Sequence, residues 1–377
     1  MKRFFKCVGM MIMFSLVFGS LQGCTEKRKT NENALYFKGK AEKIYQGIKS
    51  NFYDQKSNLY FETTLGKSGK DEKKFSYIWP LAALFQAYSE KSSLLGGTDA
   101  NDAVKSLEQY YSAEDSVDVA GLGYESFVVS LGGGQRYYDD NQWIGLTYCD
   151  LYEATKNPLY LKNAQEIFQF GMTGFDTAAG GGIYWREYDQ SSKNTCSNGP
   201  QIVLALRLMA LDGANDAKFK YMENAKKLYD WVNKNFKSPE NVYWDKINLS
   251  DGKIDKTTWT YNTGIMIQAN ALFYALTKDE RYLKEAQLIA AASLKHFAPS
   301  GQFPDTLWFN SVLLRGYVAL NKIDGDPQFL NALETDAKRV LETQTNPTDG
   351  LIGTKEPKTL IDQAAMLEIC ASLGQRK

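Results

Sequence analysis

Two kinds of helical segment alternate strictly along this chain, six of each, and this alternation constrains the fold more than any other feature. Because an amphipathic helix can cover a buried one, the pattern predicts six helical hairpins with the apolar helices inside. The amphipathic, charged segments are Tyr36–Phe52, Asn101–Tyr111, Leu159–Phe170, Phe219–Phe236, Arg281–Phe297 and Pro327–Thr343. The apolar, charge-poor segments are Ile78–Tyr88, Asn141–Thr155, Pro200–Leu211, Asn262–Leu276, Leu307–Leu320 and Leu360–Leu373.

A short repeat in the charged segments supports a ring of hairpins. An aromatic residue and an alanine four positions later recur at Tyr160, Tyr221 and Tyr282, with the same spacing both times. The two side chains share one helix face, where the alanine allows another helix to approach. Six hairpins predict an all-α, closed (α/α)6 toroid, with an open solenoid as the alternative. A solenoid needs polar end caps, whereas the last segment, Leu360–Leu373, is as apolar as the middle ones.

The connections between the segments differ in length, and the long ones predict the position of the site. Connections from apolar to charged segments are short, whereas those in the other direction are long and contain glycine runs and tryptophans. In a toroid all the long connections lie at one rim, where loops on a rigid scaffold commonly build a site. The long connections are Tyr53–Tyr77, Ser112–Asp140, Gly171–Gly199 and Lys237–Tyr261, and their glycine runs are Gly132–Gly134 and Gly180–Gly182.

Composition excludes several classes of protein. The 44 basic and 44 acidic side chains balance, which argues against a nucleic-acid partner. The single histidine, His296, falls in a charged helix, which argues against a Ser-His-Asp triad and a histidine metal site. In the body of the chain Cys149, Cys196 and Cys370 fit neither a zinc pattern nor a full disulfide framework. Plentiful carboxylates, tyrosines and tryptophans suit a carbohydrate site.

The first residues predict a lipoprotein leader rather than part of the fold. Basic residues precede an apolar run that ends in a lipobox-like Leu21-Gln22-Gly23-Cys24. We therefore expect a signal peptide at residues 1–23, lipid on Cys24, a polar tether at 24–35 and one domain at 36–377. Two acyl chains on one cysteine give stable membrane anchoring, which predicts a location in the bacterial cell envelope, facing the periplasm or the exterior.

The segment Tyr137–Trp143 (YYDDNQW) contains the strongest candidate for chemistry, the adjacent acids Asp139 and Asp140. It lies where a long connection enters an apolar helix. One of Asp139, Asp140 and Asn141 could simply cap that helix, but this does not explain all three. Neighbouring carboxylates disfavour joint ionisation, so one can be a nucleophile while the other holds a proton as general acid. Retaining glycosidases need carboxyl groups about 5–5.5 Å apart, which neighbouring residues at a helix start can provide.

The sequence resembles glycoside hydrolase family 76, the endo-α-1,6-mannanases. The resemblance rests on five segments: Tyr137–Leu146, Gly180–Glu187, Lys193–Pro200, Val242–Asn248 and Trp259–Asn270. It implies an (α/α)6 fold, metal-free retaining hydrolysis of mannan, Asp139 as nucleophile and Asp140 as acid/base. The implied partner is α-mannan or a manno-oligosaccharide, and nothing demands more than a monomer.

Eight further residues are candidates for substrate binding, because they lie in these segments or at the entrances of apolar helices. Each has a structural alternative: the tryptophans could belong to the core, Asn141 and Asn262 could cap helices, and Asp245 could be solvated. The candidates are Trp79, Tyr138, Asn141, Trp185, Asp245, Trp259, Tyr261 and Asn262. Two functional alternatives to an endo-hydrolase remain open: a non-catalytic mannan-binding lipoprotein, and an exo-acting or transglycosylating enzyme.

Overall fold

The computed structural model describes residues 30–70, 74–113 and 122–376. The expected signal peptide, Cys24 and the first part of the tether lie outside these residues. Residues 30–35, expected in the tether, begin the first helix, where Asn33 bonds to Glu334 and Lys338. No helix among the described residues has the length and apolar character required to cross a bilayer.

Six inner helices form a closed ring, because each packs against the next and the last packs against the first. The predicted (α/α)6 toroid is therefore confirmed, and the open solenoid is excluded. The inner helices are α2 (Ile78–Leu95), α4 (Tyr138–Thr155), α6 (Thr195–Asp212), α9 (Thr260–Thr277), α11 (Leu307–Asp324) and α13 (Leu360–Gly374).

The outer helices cover this ring with their apolar faces. The three tyrosines of the repeat pack on neighbouring helices: Tyr160 on Tyr148, Tyr221 on Phe168 and Tyr282 on Phe273. The outer helices are α1 (residues 30–51), α3 (Asp99–Leu107), α5 (Pro158–Thr173), α8 (Tyr221–Phe236), α10 (Glu280–Phe297) and α12 (Gln328–Gln344); a short helix, α7 (Asp216–Phe219), precedes α8.

Glycines let two inner helices approach closely. A Cβ atom on Gly264 of α9 would lie 2.5 Å from the Leu313 Cα of α11, and one on Gly316 would lie 2.4 Å from the Gly264 carbonyl oxygen. Because the contacted atoms are backbone, a side chain at either position would push the two helices apart.

The long connections carry short antiparallel strands that the sequence analysis did not predict. A four-stranded sheet in the order β5-β6-β7-β8 joins the connections before α6 and α9, because β6 pairs with β7. The strands are β1 (Tyr53–Asp54), β2 (Leu59–Tyr60), β3 (Tyr111–Ala113), β4 (Leu122–Tyr124), β5 (Tyr184–Arg186), β6 (Asp189–Asn194), β7 (Trp244–Asn248) and β8 (Ile254–Thr258).

Helix starts differ from prediction at the rim that carries these connections. Helix α4 begins three residues early, at Tyr138, and α6 begins at Thr195 although Pro200 was predicted to open it. The residues before Pro200 have low helix propensity, but their buried polar groups are satisfied; Asn198 Nδ2 donates to the Ile183 carbonyl at 3.0 Å. Tertiary contacts thus extend α6 beyond what propensity indicates.

Candidate active site

The amino-terminal turns of five inner helices surround a cavity of about 490 Å³ at the rim of the long connections. Helices α2, α4, α6, α9 and α11 each contribute lining residues, and strands β5 and β7 add Trp185, Asp245 and Lys246. The cavity therefore lies on the axis of the barrel, where the sequence predicted a site.

Aromatic rings form most of the cavity wall. Trp308 packs edge-on against Trp79 and Trp143, with ring centroids 5.3 and 5.2 Å apart. Phe309 packs on Tyr261 at 4.2 Å. Rings held in this way present rigid apolar surface at little entropic cost, which suits the C–H faces of a sugar.

Asp139 and Asp140 lie in the first turn of α4 and face this cavity. The residue that caps the helix is Tyr137, whose backbone is extended and whose side chain makes no capping bond. The alternative in which Asp139, Asp140 or Asn141 caps the helix is therefore wrong. With no capping side chain, the backbone amides of Asp139 and Asp140 are available to the Asp139 carboxylate, and the positive end of the helix dipole lies beside both acids.

A β-bridge between Tyr137 and Arg186 brings Trp185 beside Asp139. The Trp185 indole Nε1 donates a hydrogen bond to Asp139 Oδ2 at 3.2 Å. The ring packs on Tyr137, with centroids 5.1 Å apart, and remains 36% exposed to the cavity. The other carboxylate oxygen of Asp139, Oδ1, is buried, and none of the described residues donates a well-formed hydrogen bond to it.

Burial raises the pKa of Asp139 to about 6, even though several groups act in the opposite direction. The Cys196 thiol, the Trp185 N–H and the backbone amides of Asp139 and Asp140 stabilise the ionised carboxylate and limit the rise in pKa.

Asp140 has different surroundings, and its pKa lies higher. Burial raises the pKa of Asp140 well above its ordinary value, and the neighbouring Asp139 charge raises it further. No side chain in the described part of the chain donates a hydrogen bond that would offset this. The environment thus favours an ionised Asp139 beside a protonated Asp140.

A third carboxylate, Asp245, enters the cavity from β7, and burial raises its pKa. Asn262 lies behind it, fully buried, and donates from Nδ2 to Asp245 Oδ1 at 3.4 Å. Asn262 contacts Asp245 and does not line the cavity; its contact with substrate stays a prediction.

Two other predicted binding residues are displaced from the cavity wall. Tyr138 is buried against Phe170, with ring centroids 5.0 Å apart. Asn141 is fully buried; its Oδ1 accepts from the Tyr124 amide at 2.7 Å, and its Nδ2 donates to the carbonyls of Tyr124 and Tyr137. Both residues pack or form hydrogen bonds around the acids and do not line the cavity; their role in substrate binding stays a prediction.

The remaining candidates line the cavity as predicted: Trp79, Asp139, Asp140, Trp185, Asp245, Trp259 and Tyr261. The sequence analysis did not select several other residues of the wall. Tyr137, Trp143, Asn194, Cys196 and Lys246 lay inside the segments that carry the family resemblance, so a signal existed for them. Trp308 and Phe309 resembled core residues of an apolar helix and gave no such signal.

The described residues contain no group of three or more histidine, cysteine, aspartate or glutamate side chains arranged to hold a metal ion. Cys149, Cys196 and Cys370 are all buried free thiols. The charged groups that line the cavity are the carboxylates of Asp139, Asp140 and Asp245 and the amine of Lys246.

Comparison with known proteins identifies the family. The model for glycosyl hydrolase family 76 matches residues 36–350. The chain belongs to this family. The match covers every inner helix except α13, and it confirms the resemblance carried by the five sequence segments.

Solved structures of family 76 proteins share the fold. A family 76 α-mannanase of Bacteroides thetaiotaomicron superposes with a TM-score of 0.80 at 22% identity, covering 90% of this chain and 95% of that one. An inactive variant of the α-1,6-mannanase GH76A of Salegentibacter sp. HEL1_6, with two consecutive aspartates replaced by asparagine, was solved with α-1,6-mannotriose; its TM-score is 0.73 at 20% identity, covering 90% and 100% of the two chains.

A curated relative is a putative mannan endo-1,6-α-mannosidase of Schizosaccharomyces pombe. It is 28% identical over 236 residues, which is 59% of this chain and 50% of the relative. The chain thus spans about half the length of this relative, and 59% of the length of a second one, the meiotically up-regulated gene 191 protein of the same organism.

Proposed function

We propose that this chain is a retaining glycoside hydrolase that cleaves α-1,6-mannosidic bonds within the backbone of α-mannan. The observation that carries the proposal is the adjacent pair Asp139 and Asp140 in an aromatic cavity, with different surroundings around the two carboxylates. A binding protein needs the rings but has no use for two neighbouring carboxylates with separated pKa values.

In the first step, Asp139 attacks the anomeric carbon and the bond to the leaving oxygen breaks. Asp139 lines the cavity, and the Trp185 N–H holds its Oδ2 in place, so the carboxylate can supply the attacking electron pair. Asp140 transfers its proton to the leaving oxygen, so the departing chain leaves as a neutral alcohol. The products of this step are a mannosyl ester of Asp139 and an ionised Asp140.

In the second step, water attacks the anomeric carbon of the ester. Asp140, now ionised, takes the proton of the water, and Asp139 departs as a carboxylate. Two inversions at the same carbon retain the α configuration. The helix amides and the Trp185 N–H stabilise Asp139 as a leaving group because they favour its ionised form.

The relatives support the choice of substrate. Curated relatives are named as mannan endo-1,6-α-mannosidases, and a solved relative holds α-1,6-mannotriose when its adjacent aspartates are replaced. The two replaced aspartates of that relative are consecutive in its sequence, as Asp139 and Asp140 are in this chain.

The test is incubation of a soluble form that lacks residues 1–29 with unbranched α-1,6-mannan, beside its variants Asp139→Asn and Asp140→Asn. We expect a ladder of oligosaccharides that both variants fail to produce, with the α anomer formed first in proton NMR spectra. Mannose alone from the start would indicate an exo-enzyme, and products longer than the substrate would indicate transglycosylation. Retardation of the protein in a mannan gel without any product would refute hydrolysis and favour a binding protein.

We also propose that the mature protein is a monomer held to the bacterial cell envelope by lipid on Cys24. The lipobox-like Leu21–Cys24 segment supports this proposal. A Cys24→Ser variant should move from the membrane fraction to the soluble fraction; if it stays with the membranes, the anchor lies elsewhere.

A further inference from the structure

A second groove, of about 710 Å³, runs along the rim beside the catalytic cavity. Tyr77 and Ser126 line both spaces, so the groove is a continuation of the cavity wall. Its far side is formed by Phe127, Leu131 and the run Gly132–Gly134, a motif for which the proposed reaction has no role.

Backbone contacts tie the two sides of the groove together. The Ile78 amide at the start of α2 donates to the Ser126 carbonyl at 3.0 Å, and the Ser126 amide donates to the Gln135 carbonyl at 3.1 Å. The rings of Tyr77 and Phe127 lie with their centroids 5.5 Å apart. These contacts set the floor of the groove at a fixed position relative to the cavity.

The glycine run folds tightly onto Glu125. The Gly134 amide donates to Glu125 Oε2 at 2.8 Å, and a Cβ atom on Gly133 would lie only 1.9 Å from the same oxygen. Gly133 also has a φ of 57°, in the left-handed region that favours glycine. The fold of this loop leaves Leu131 54% exposed at the edge of the groove.

The groove offers what a pyranose ring requires: an aromatic floor and a leucine for its C–H face, with the Ser126 hydroxyl and exposed backbone nearby for its hydroxyl groups. We propose that it is a distal subsite for the same α-1,6-linked mannose chain whose scissile bond lies at Asp139 and Asp140. The proposal rests on the proposed function and deepens it. A chain that leaves the cavity along its shared wall reaches Phe127 next, so affinity rises with chain length.

The experiment measures binding of α-1,6-mannotriose and α-1,6-mannohexaose to the Asp139→Asn, Asp140→Asn double variant by titration calorimetry. We expect hexaose to bind at least about tenfold more tightly than triose. Adding Leu131→Ser to the double variant should reduce the ratio of hexaose affinity to triose affinity by about fivefold, because the apolar surface of the leucine is no longer there to pack on a sugar ring. Leu131 is largely exposed, so its replacement leaves the packing of the core intact.

Leu159→Ser is the matched control. Leu159 is 53% exposed and lies in the first turn of α5, at the opposite end of the barrel. The Leu159→Ser variant should keep the parent's ratio of hexaose affinity to triose affinity. Equal affinity for both lengths in the parent, an unchanged ratio with Leu131→Ser, or the same loss with Leu159→Ser would refute the subsite. If neither oligosaccharide binds and no mannan is cleaved, the proposed function itself fails.

Discussion

Replacement of Trp185 by phenylalanine separates two roles that the structure gives to one side chain. The ring lines the cavity, and its Nε1 donates a hydrogen bond to Asp139 Oδ2 at 3.2 Å. Phenylalanine keeps an aromatic surface but has no N–H, so the variant removes the hydrogen bond while most of the stacking surface remains.

The expected shift follows from the strength of the lost bond. A hydrogen bond to a charged group contributes about 1.5–3 kcal/mol, and one pKa unit corresponds to about 1.4 kcal/mol. The bond is long for a charged pair and Trp185 is partly exposed, so the lower end applies and the pKa of Asp139 should rise by about one unit. The pKa of Asp139 in the parent is about 6.

The sign of the effect on activity follows from the role of Asp139. The nucleophile must be ionised, so a higher pKa moves the acidic limb of kcat/KM towards higher pH. With a shift of about one unit, kcat/KM falls about fivefold near pH 6 and hardly changes near pH 8. The basic limb, which depends on protonated Asp140, should stay in place.

The assay is kcat/KM on α-1,6-mannan across this range, with Trp259→Phe as the control. Trp259 also lines the cavity, but no hydrogen bond joins it to the acids. Its replacement should raise KM without moving the acidic limb. An unmoved limb in Trp185→Phe, with KM raised as in Trp259→Phe, would refute the argument and leave Trp185 as a stacking surface alone.

Three further predictions concern the stability of the fold. Burial raises the pKa of Asp140, so the folded chain holds a proton that the unfolded chain releases, and stability falls as pH rises from about 4 through the raised pKa. Asp140→Asn should therefore raise Tm above that of the parent by a few degrees near pH 8 and change it little near pH 4. If variant and parent have the same Tm at both pH values, burial of Asp140 carries no such cost. Asn141→Ala removes three buried hydrogen bonds, to the backbones of Tyr124 and Tyr137, and should lower the free energy of unfolding in urea by about 2–4 kcal/mol. A loss below about 1 kcal/mol would mean that these bonds are dispensable. Gly264→Ala forces α9 away from α11 and should cost about 2–4 kcal/mol in the same assay; a neutral result would show that the two backbones can separate freely.

Much of the architecture could be predicted because helical burial leaves a periodic trace in the sequence. The inner helices α11 and α13 begin at the predicted Leu307 and Leu360. The starts of α4 and α6 were placed too late, because the polar residues that open them read as loop. The residues that open α6 are helical because partners elsewhere in the fold satisfy the side chains of Thr195, Ser197 and Asn198. Sequence periodicity does not register such partners.

Within the site, adjacency in sequence proved a poor guide to which side chains share a surface. Tyr138 and Asn141 flank the two acids, yet they lie outside the cavity lining. Successive residues of a helix are rotated by about 100°, so neighbours on both sides of a cavity-facing pair turn into the packing. Trp308 and Phe309 show the converse, since only closure of the ring brings the start of α11 opposite α4.

The sequence alone determined the six-hairpin ring, the rim that carries the site and the pair Asp139 and Asp140, because periodicity, loop length and residue chemistry are local properties. The tertiary structure decided what makes the two acids unequal. A β-bridge brings Trp185 to Asp139, and among the described residues no comparable donor reaches Asp140. Rings from the starts of α2, α4, α9 and α11 surround both acids. The difference between the two pKa values comes from groups distant in sequence, so it exists only once the chain has folded.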